Sequence, residues 1–265
     1  MEAISRTERI LSGEELEPIS REEHFLAKIG GKEVETPEPI SRKEHFLQDI
    51  IDNGIGGGGN DDTQQLIDLI EGDITTLNIP NTTSKIRQYS FYYCDKLTSI
   101  TIPDSVTSIG DYAFQSCNSL TSITIPDSVT SIGNNAFQFC YKLTSITIGN
   151  GVTSIRSGTF YNCSRLTSVV IGSGVTSIGS SAFYGCNSLT SITIPDGVTS
   201  IGSGAFQSCK SLTEMTILAT TPPTLDSTNA ISSATTKIYI PAGTLEAYQT
   251  ATNWSSFASK FVELN

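Results

Sequence analysis

Residues 97–119 read LTSITIPDSVTSIGDYAFQSCNS, and residues 120–142 read LTSITIPDSVTSIGNNAFQFCYK. Two nearly identical stretches in tandem mean that the chain builds one unit and repeats it. The period extends well beyond these copies. Phe recurs at Phe91, Phe114, Phe137, Phe160, Phe183 and Phe206, always 23 residues apart. Cysteine does the same from Cys94 to Cys209, and leucine from Leu97 to Leu212. Six units fill 74–211, with a seventh strand beginning at Leu212. The first unit is degenerate and keeps phase through Ile74, Leu77, Ile79, Thr83 and Ile86.

Each unit has a readable anatomy. SITI alternates polar and apolar residues and is rich in β-branched ones, which predicts a short strand with Ile100 and Ile102 facing inward. Pro103-Asp104 ends it, because proline cannot continue a ladder inside a sheet. Val106 and Ile109 re-enter the core through a second extended piece, and Gly110 turns the chain. AFxxC spaces Ala113, Phe114 and Cys117 as one inward-facing helical turn would. One unit cannot bury its own apolar side, but stacked units can. Parallel strands lie about 4.8 Å apart, so seven of them make a body roughly 30 Å long.

The pattern LxxIxIPxxVxxIGxxAFxxCxx, over about 74–216, resembles the BspA-like leucine-rich repeat family, also called the Treponema pallidum type. The resemblance implies an α/β repeat solenoid: a right-handed leucine-rich-repeat coil of 23-residue units with a parallel β-sheet on the concave face. It also implies a bacterial, often host-associated protein at the cell surface or outside the cell. Such a protein binds other macromolecules; together with the lack of a catalytic constellation, this leads to the expectation of a non-catalytic protein that recognises a protein or glycan of a host or bacterial surface.

The chain divides into an acidic N-terminal segment (1–54), a Gly-rich linker (55–62), an N-terminal capping helix (63–72), the repeats (73–216) and an α/β C-terminal cap (217–265). In the first segment EAISRTERIL, EPISREEHFL and EPISRKEHFL each carry Ser-x-x-Glu, the capping box that opens a helix. Three short helices are expected there. The motif PISRxEHFLxxI is similar to segments near the start of phage tail and baseplate-associated proteins of gut Firmicutes. That resemblance implies attachment to a multi-protein assembly such as a phage tail. The alternative is that these helices only pack on each other or fray. DDTQQLIDLIEG reads as the amphipathic capping helix, and KIYIP followed by PAGTLEAYQTATNW reads as a strand and a helix that close the far end. The sole Trp, Trp254, is expected to anchor that cap.

Charge narrows the function classes. The net charge is −11, and residues 1–71 hold 17 Asp/Glu against 7 Lys/Arg, whereas the other 194 residues hold 10 against 9. An acidic head joined to a neutral body offers no basic stripe, which argues against nucleic acid. No window of about 18 apolar residues exists for a membrane span. The N-terminus lacks the basic start and apolar core of a signal peptide.

No catalytic, cofactor or metal constellation stands out. GIGGGG (54–59) has no following GK[ST] and reads as linker. The six cysteines occupy one inward position, where free Cys behaves as a small hydrophobe, so a buried reduced ladder is expected rather than a disulfide framework. Asp104, Asp127 and Asp196, with Asn81 and Asn150, follow Pro or Gly in a turn, where turn chemistry favours them.

Two surfaces are candidates for binding. Outward on the strands stand Thr101, Thr124, Thr147 and Thr193, beside a column of serines. That face reads either as adhesive or as a solvated β-face with cross-strand Thr contacts. On the turn side, where the repeat is least strict, lie Tyr92, Tyr93, Tyr112, Phe139, Tyr141, Tyr161 and Tyr184. Variation within a strict repeat, with aromatic side chains, is what an interaction surface looks like. Packing of these rings between coils is the other reading.

Overall fold

The computed structural model describes residues 75–265, so the helices, linker and capping helix expected over 1–72 lie outside the described residues. Each coil carries two short strands. SITI or its equivalent forms β1 (Thr76–Asn78), β3 (Ser99–Thr101), β5 (Ser122–Ile125), β7 (Ser145–Ile148), β9 (Ser168–Val170), β11 (Ser191–Ile194) and β13 (Glu214–Ile217). VTSI supplies the second strand: β2 (Lys85–Ile86), β4 (Ser108–Ile109), β6 (Ser131–Ile132), β8 (Ser154–Ile155), β10 (Ser177–Ile178), β12 (Ser200–Ile201) and β14 (Thr224–Leu225).

All pairing is parallel, and in the repeats the partners stand one period apart. Ile123 faces Ile146, Thr124 faces Thr147, and Ile109 faces Ile132. The second strands form one unbroken seven-stranded sheet from β2 to β14. The first strands divide into hydrogen-bonded groups, β1–β3, β5–β7–β9, and a third that begins β11–β13. Two threonine columns reinforce the stacking. Thr144 Oγ1 donates to Thr121 O at 3.0 Å, and Thr176 Oγ1 donates to Thr153 O at 3.0 Å.

The third side of the coil differs from the expected helical turn. The N–H groups of Tyr89, Phe91 and Tyr93 donate to Asp111, Ala113 and Gln115 of the next coil at 3.1, 2.7 and 2.8 Å. Those of Ser90, Tyr92 and Cys94 close tight turns onto Arg87, Tyr89 and Phe91. An α-helix directs each N–H four residues back along its own chain. Here coils stack closely enough for alternate N–H groups to bond across the gap, so the turn becomes a third ladder. The spacing of Ala113, Phe114 and Cys117 still faces them inward, and all three are fully buried.

The core is columnar. The six repeat phenylalanines stack with ring centroids 4.9, 5.0, 5.5, 5.1 and 5.3 Å apart and planes within 20° of parallel. Burying one such ring contributes about 1.5–3 kcal/mol. The cysteines are free thiols. Cys117, Cys140, Cys163, Cys186 and Cys209 donate Sγ–H to the carbonyl of Phe91, Phe114, Phe137, Phe160 and Phe183 at 3.0–3.3 Å. A small apolar side chain with one weak donor fits that site better than Ala or Ser. Burial pushes the thiols of Cys117, Cys140, Cys163 and Cys186 up from their ordinary pKa.

The far end extends the ladders without the repeat sequence. β15 (Lys237–Ile240) pairs with β13, and β16 (Phe261–Glu263) pairs with β15. Helix α1 (Leu245–Thr250) starts after Thr244, as PAGTLEAY predicts, and a 3₁₀ helix covers Trp254–Lys260. A solenoid end exposes backbone carbonyls that need donors. Cap side chains supply them: Trp254 Nε1 donates to Pro223 O at 2.7 Å, Tyr248 OH to Ala219 O at 2.7 Å, and Asn253 Nδ2 to Leu225 O at 2.6 Å. Trp254 is fully buried and meets Tyr248 edge-on at 5.6 Å, so it anchors the cap.

Candidate functional site

Two positions per coil on the turn side take a positive φ, and both recur every 23 residues. The first column holds Tyr89, Tyr112, Asn135, Gly158, Ser181 and Gly204; the second holds Tyr93, Ser116, Phe139, Asn162, Gly185 and Ser208. Gly and Asn suit that conformation, whereas a bulky side chain there costs roughly 1–2 kcal/mol. Four aromatic residues nevertheless occupy it: Tyr89, Tyr93, Tyr112 and Phe139. That strain falls on one side of the coil, in columns that the other coils fill with Gly, Asn or Ser.

The rings gather into two clusters. In the first, Tyr89 stacks on Tyr112 at 5.1 Å, and Tyr92 meets Tyr89 and Tyr93 edge-on at 5.5 and 4.5 Å. In the second, Tyr161 stacks on Tyr184 at 4.8 Å, Phe139 meets Tyr161 edge-on at 5.8 Å, and Phe139 lies tilted against Tyr141 at 5.9 Å. Between them Gln115 Nε2 donates to Gln138 Oε1 at 2.7 Å. The clusters combine both starting readings, since the rings pack between coils and still present surface. Tyr93 is 40% exposed and Tyr141 45%, whereas Tyr92, Tyr112, Phe139, Tyr161 and Tyr184 are half-buried. Tyr89, 40% exposed, completes the first cluster and is absent from the sequence-based set. Its signal was available: it stands one period before Tyr112.

The other candidate surface lies on a different side of the coil. Thr101, Thr124, Thr147 and Thr193 are all exposed on the first strands, and their hydroxyls make no hydrogen bond among the described residues. Val170 takes the place of Thr in this column at 54% exposure. The column therefore breaks where β9 and β11 cease to pair. The structure does not bring these threonines together with the aromatic clusters.

The turn-forming acidic column serves its neighbours. Asp127 Oδ1 accepts from Asn150 N at 2.7 Å, and Asn150 Oδ1 accepts from Ser173 N at 3.0 Å. Among the described residues no group of three His, Cys, Asp or Glu side chains is placed to hold a metal. No helix among them is long and apolar enough to cross a membrane.

The family described as BspA type leucine rich repeat region matches residues 71–190 and 153–256, in six copies. A leucine-rich cell surface protein from Faecalibacterium prausnitzii is 32% identical, with a TM-score of 0.52, over 63% of this chain and 55% of that one. A leucine-rich repeat protein from Bacteroides ovatus is 26% identical, with a TM-score of 0.54, over 73% of this chain and 55% of that one. The chain thus spans about half the length of each of these proteins. No curated protein matches it.

Proposed function

The chain belongs to the BspA-type leucine-rich repeat family, and from that premise we propose that it is a non-catalytic recognition and adhesion protein. It presents its solenoid to a protein or glycan partner at a bacterial surface. The observation that carries this reading is the aromatic occupation of left-handed positions at Tyr89, Tyr93, Tyr112 and Phe139. Invariant positions build the coil; these positions vary, hold strained backbone and gather rings. Flat stacked rings flanked by amides are suited to the apolar faces of sugar rings and to aromatic or Arg anchors of a protein partner.

The test is a binding screen of the full chain against an array of host and bacterial surface glycans and a panel of matrix proteins. Specific binding that Tyr161→Ser and Tyr184→Ser abolish supports the proposal. A folded chain that binds nothing on either panel contradicts it.

A further inference from the structure

Residues 75–265 contain nine Lys and Arg, and three of them, Lys85, Arg87 and Arg156, line one groove of about 360 Å³ on the second-strand sheet. Its walls and floor also include Gln88, Ser108, Gly110, Asp111, Ser131 and Gly133. We propose that this groove binds an acidic oligosaccharide, a short run of sugar rings carrying carboxylate or sulfate groups. The site is separate from the tyrosine clusters and stands on its own evidence.

The repeat explains its shape. Arg87, Gly110, Gly133 and Arg156 occupy one column of four successive coils. The two glycines leave a bare floor, and a Cβ on either would collide with the backbone nitrogen of Gln88 or Asp111. The two arginines close its ends, three coils apart, which at about 4.8 Å per coil is roughly 14 Å. Lys85 begins the adjoining column, which continues with Ser108 and Ser131.

Arg156 is present at a cost to the fold. In this column Gly110 N donates to Ile86 O, Gly133 N to Ile109 O, Gly179 N to Ile155 O and Gly202 N to Ile178 O, all at 2.7–2.8 Å. Arg156 N makes no such bond among the described residues, and the neighbouring Thr153 N–Thr130 O bond lengthens to 3.5 Å. A residue that interrupts an otherwise unbroken ladder is poorly explained by stability. Arg156 and Lys85 form no ion pair among the described residues. The one carboxylate in the lining, Asp111, is engaged by Asn134, whose N donates to Oδ1 at 2.6 Å and whose Nδ2 approaches at 3.4 Å.

The chemistry between the charges selects the ligand. The Arg156 guanidinium is suited to bind carboxylate or sulfate through paired N–H donors. Ser108 and Ser131 are half-buried, and their hydroxyls make no hydrogen bond among the described residues, whereas Ser177 Oγ in the same column donates to Ser154 Oγ at 2.8 Å. Gln88 adds an amide. Hydroxyls and an amide along a glycine floor match the hydroxyls of sugar rings; an acidic peptide offers carboxylates but little for the serines.

The experiment titrates the full chain by calorimetry with trigalacturonate and with a heparin tetrasaccharide, against maltotetraose and hexaglutamate. The expected result is binding of one or both acidic sugars, weakened by added salt, and none of maltotetraose; binding of trigalacturonate shows that carboxylates suffice, and binding of the heparin tetrasaccharide alone shows that sulfate is required. Arg156→Gly and Lys85→Ser restore the residues found elsewhere in their columns, so both variants fold. Each weakens binding at least about tenfold, the size of one lost charge-assisted pair. Arg156→Gly also raises the melting temperature by restoring the ladder bond. Tyr161→Ser leaves this binding unchanged, which separates the groove from the recognition surface proposed above. Binding of neither acidic sugar, equal or tighter binding of hexaglutamate, or affinity unchanged in Arg156→Gly would each overturn the proposal.

Discussion

The column that begins at Phe91 is Phe in six coils, buried and stacked ring on ring, whereas the column that begins one residue later reads Tyr92, Gln115, Gln138, Tyr161, Tyr184 and Gln207 and faces outward. Chain neighbours therefore answer to different constraints. The inner residue meets its own copy above and below, so any change is felt by two neighbouring coils. The outer residue meets solvent on one side, and its identity drifts. A repeat protein thus separates scaffold from surface at single-residue resolution, and each half of that contrast can be attacked separately.

The largest effect belongs to the inner column. Phe137→Ala leaves a cavity between two stacked rings and lowers stability by about 3–5 kcal/mol in urea denaturation. A loss below about 1 kcal/mol would mean that the stack contributes little. Next comes the thiol ladder. Cys140→Ala removes sulfur from a dry site and costs about 1–3 kcal/mol.

The thiols of Cys117, Cys140, Cys163 and Cys186 set an alkaline limit. Their folded pKa lies above the unfolded value, so their contribution is complete below about pH 8.5 and falls as pH rises toward the folded pKa, by up to about 1.4 kcal/mol per pH unit for each thiol. Melting temperature is therefore flat through neutral pH and falls above it, and Cys140→Ala softens that fall. Burial pushes the Tyr248 phenol in the same direction.

The outward-facing columns, including the one that follows the Tyr92 column and holds Phe139, give the small effects. Phe139→Gly relieves a left-handed φ but loses two ring contacts, terms that nearly cancel, so stability shifts by less than about 1 kcal/mol. A loss as large as that of Phe137→Ala would place Phe139 in the core and erase the contrast.

How far the sequence could be read follows from the same contrast. Stacked columns are visible as exact periods, so the strands, the inward Ile, Phe and Cys positions and the coil itself were legible. The helical expectation for AFxxC failed because inward spacing at i, i+1 and i+4 suits both a helical turn and a tight turn bonded to the next coil; only the position of that coil decides where the N–H groups go. The cap was legible in part. KIYI declares a strand and Trp254 an anchor, but Thr224–Leu225 and Phe261–Glu263 extend the ladders with no repeat signature. The groove was hidden because Arg87 and Arg156 are 69 residues apart. Its trace in the sequence was an exception, arginine where the column holds glycine.

The contrast is tested most directly by one paired measurement on the Tyr161→Ser/Tyr184→Ser variant, its urea denaturation midpoint and its signal on the same glycan array and matrix-protein panel as the wild type. The expected result is a midpoint within about 0.5 kcal/mol of wild-type stability, the range of ordinary surface substitutions, with loss of the wild-type binding signal. An unfolded variant, or a stable variant whose binding is intact, would contradict the assignment of recognition to the positions that vary.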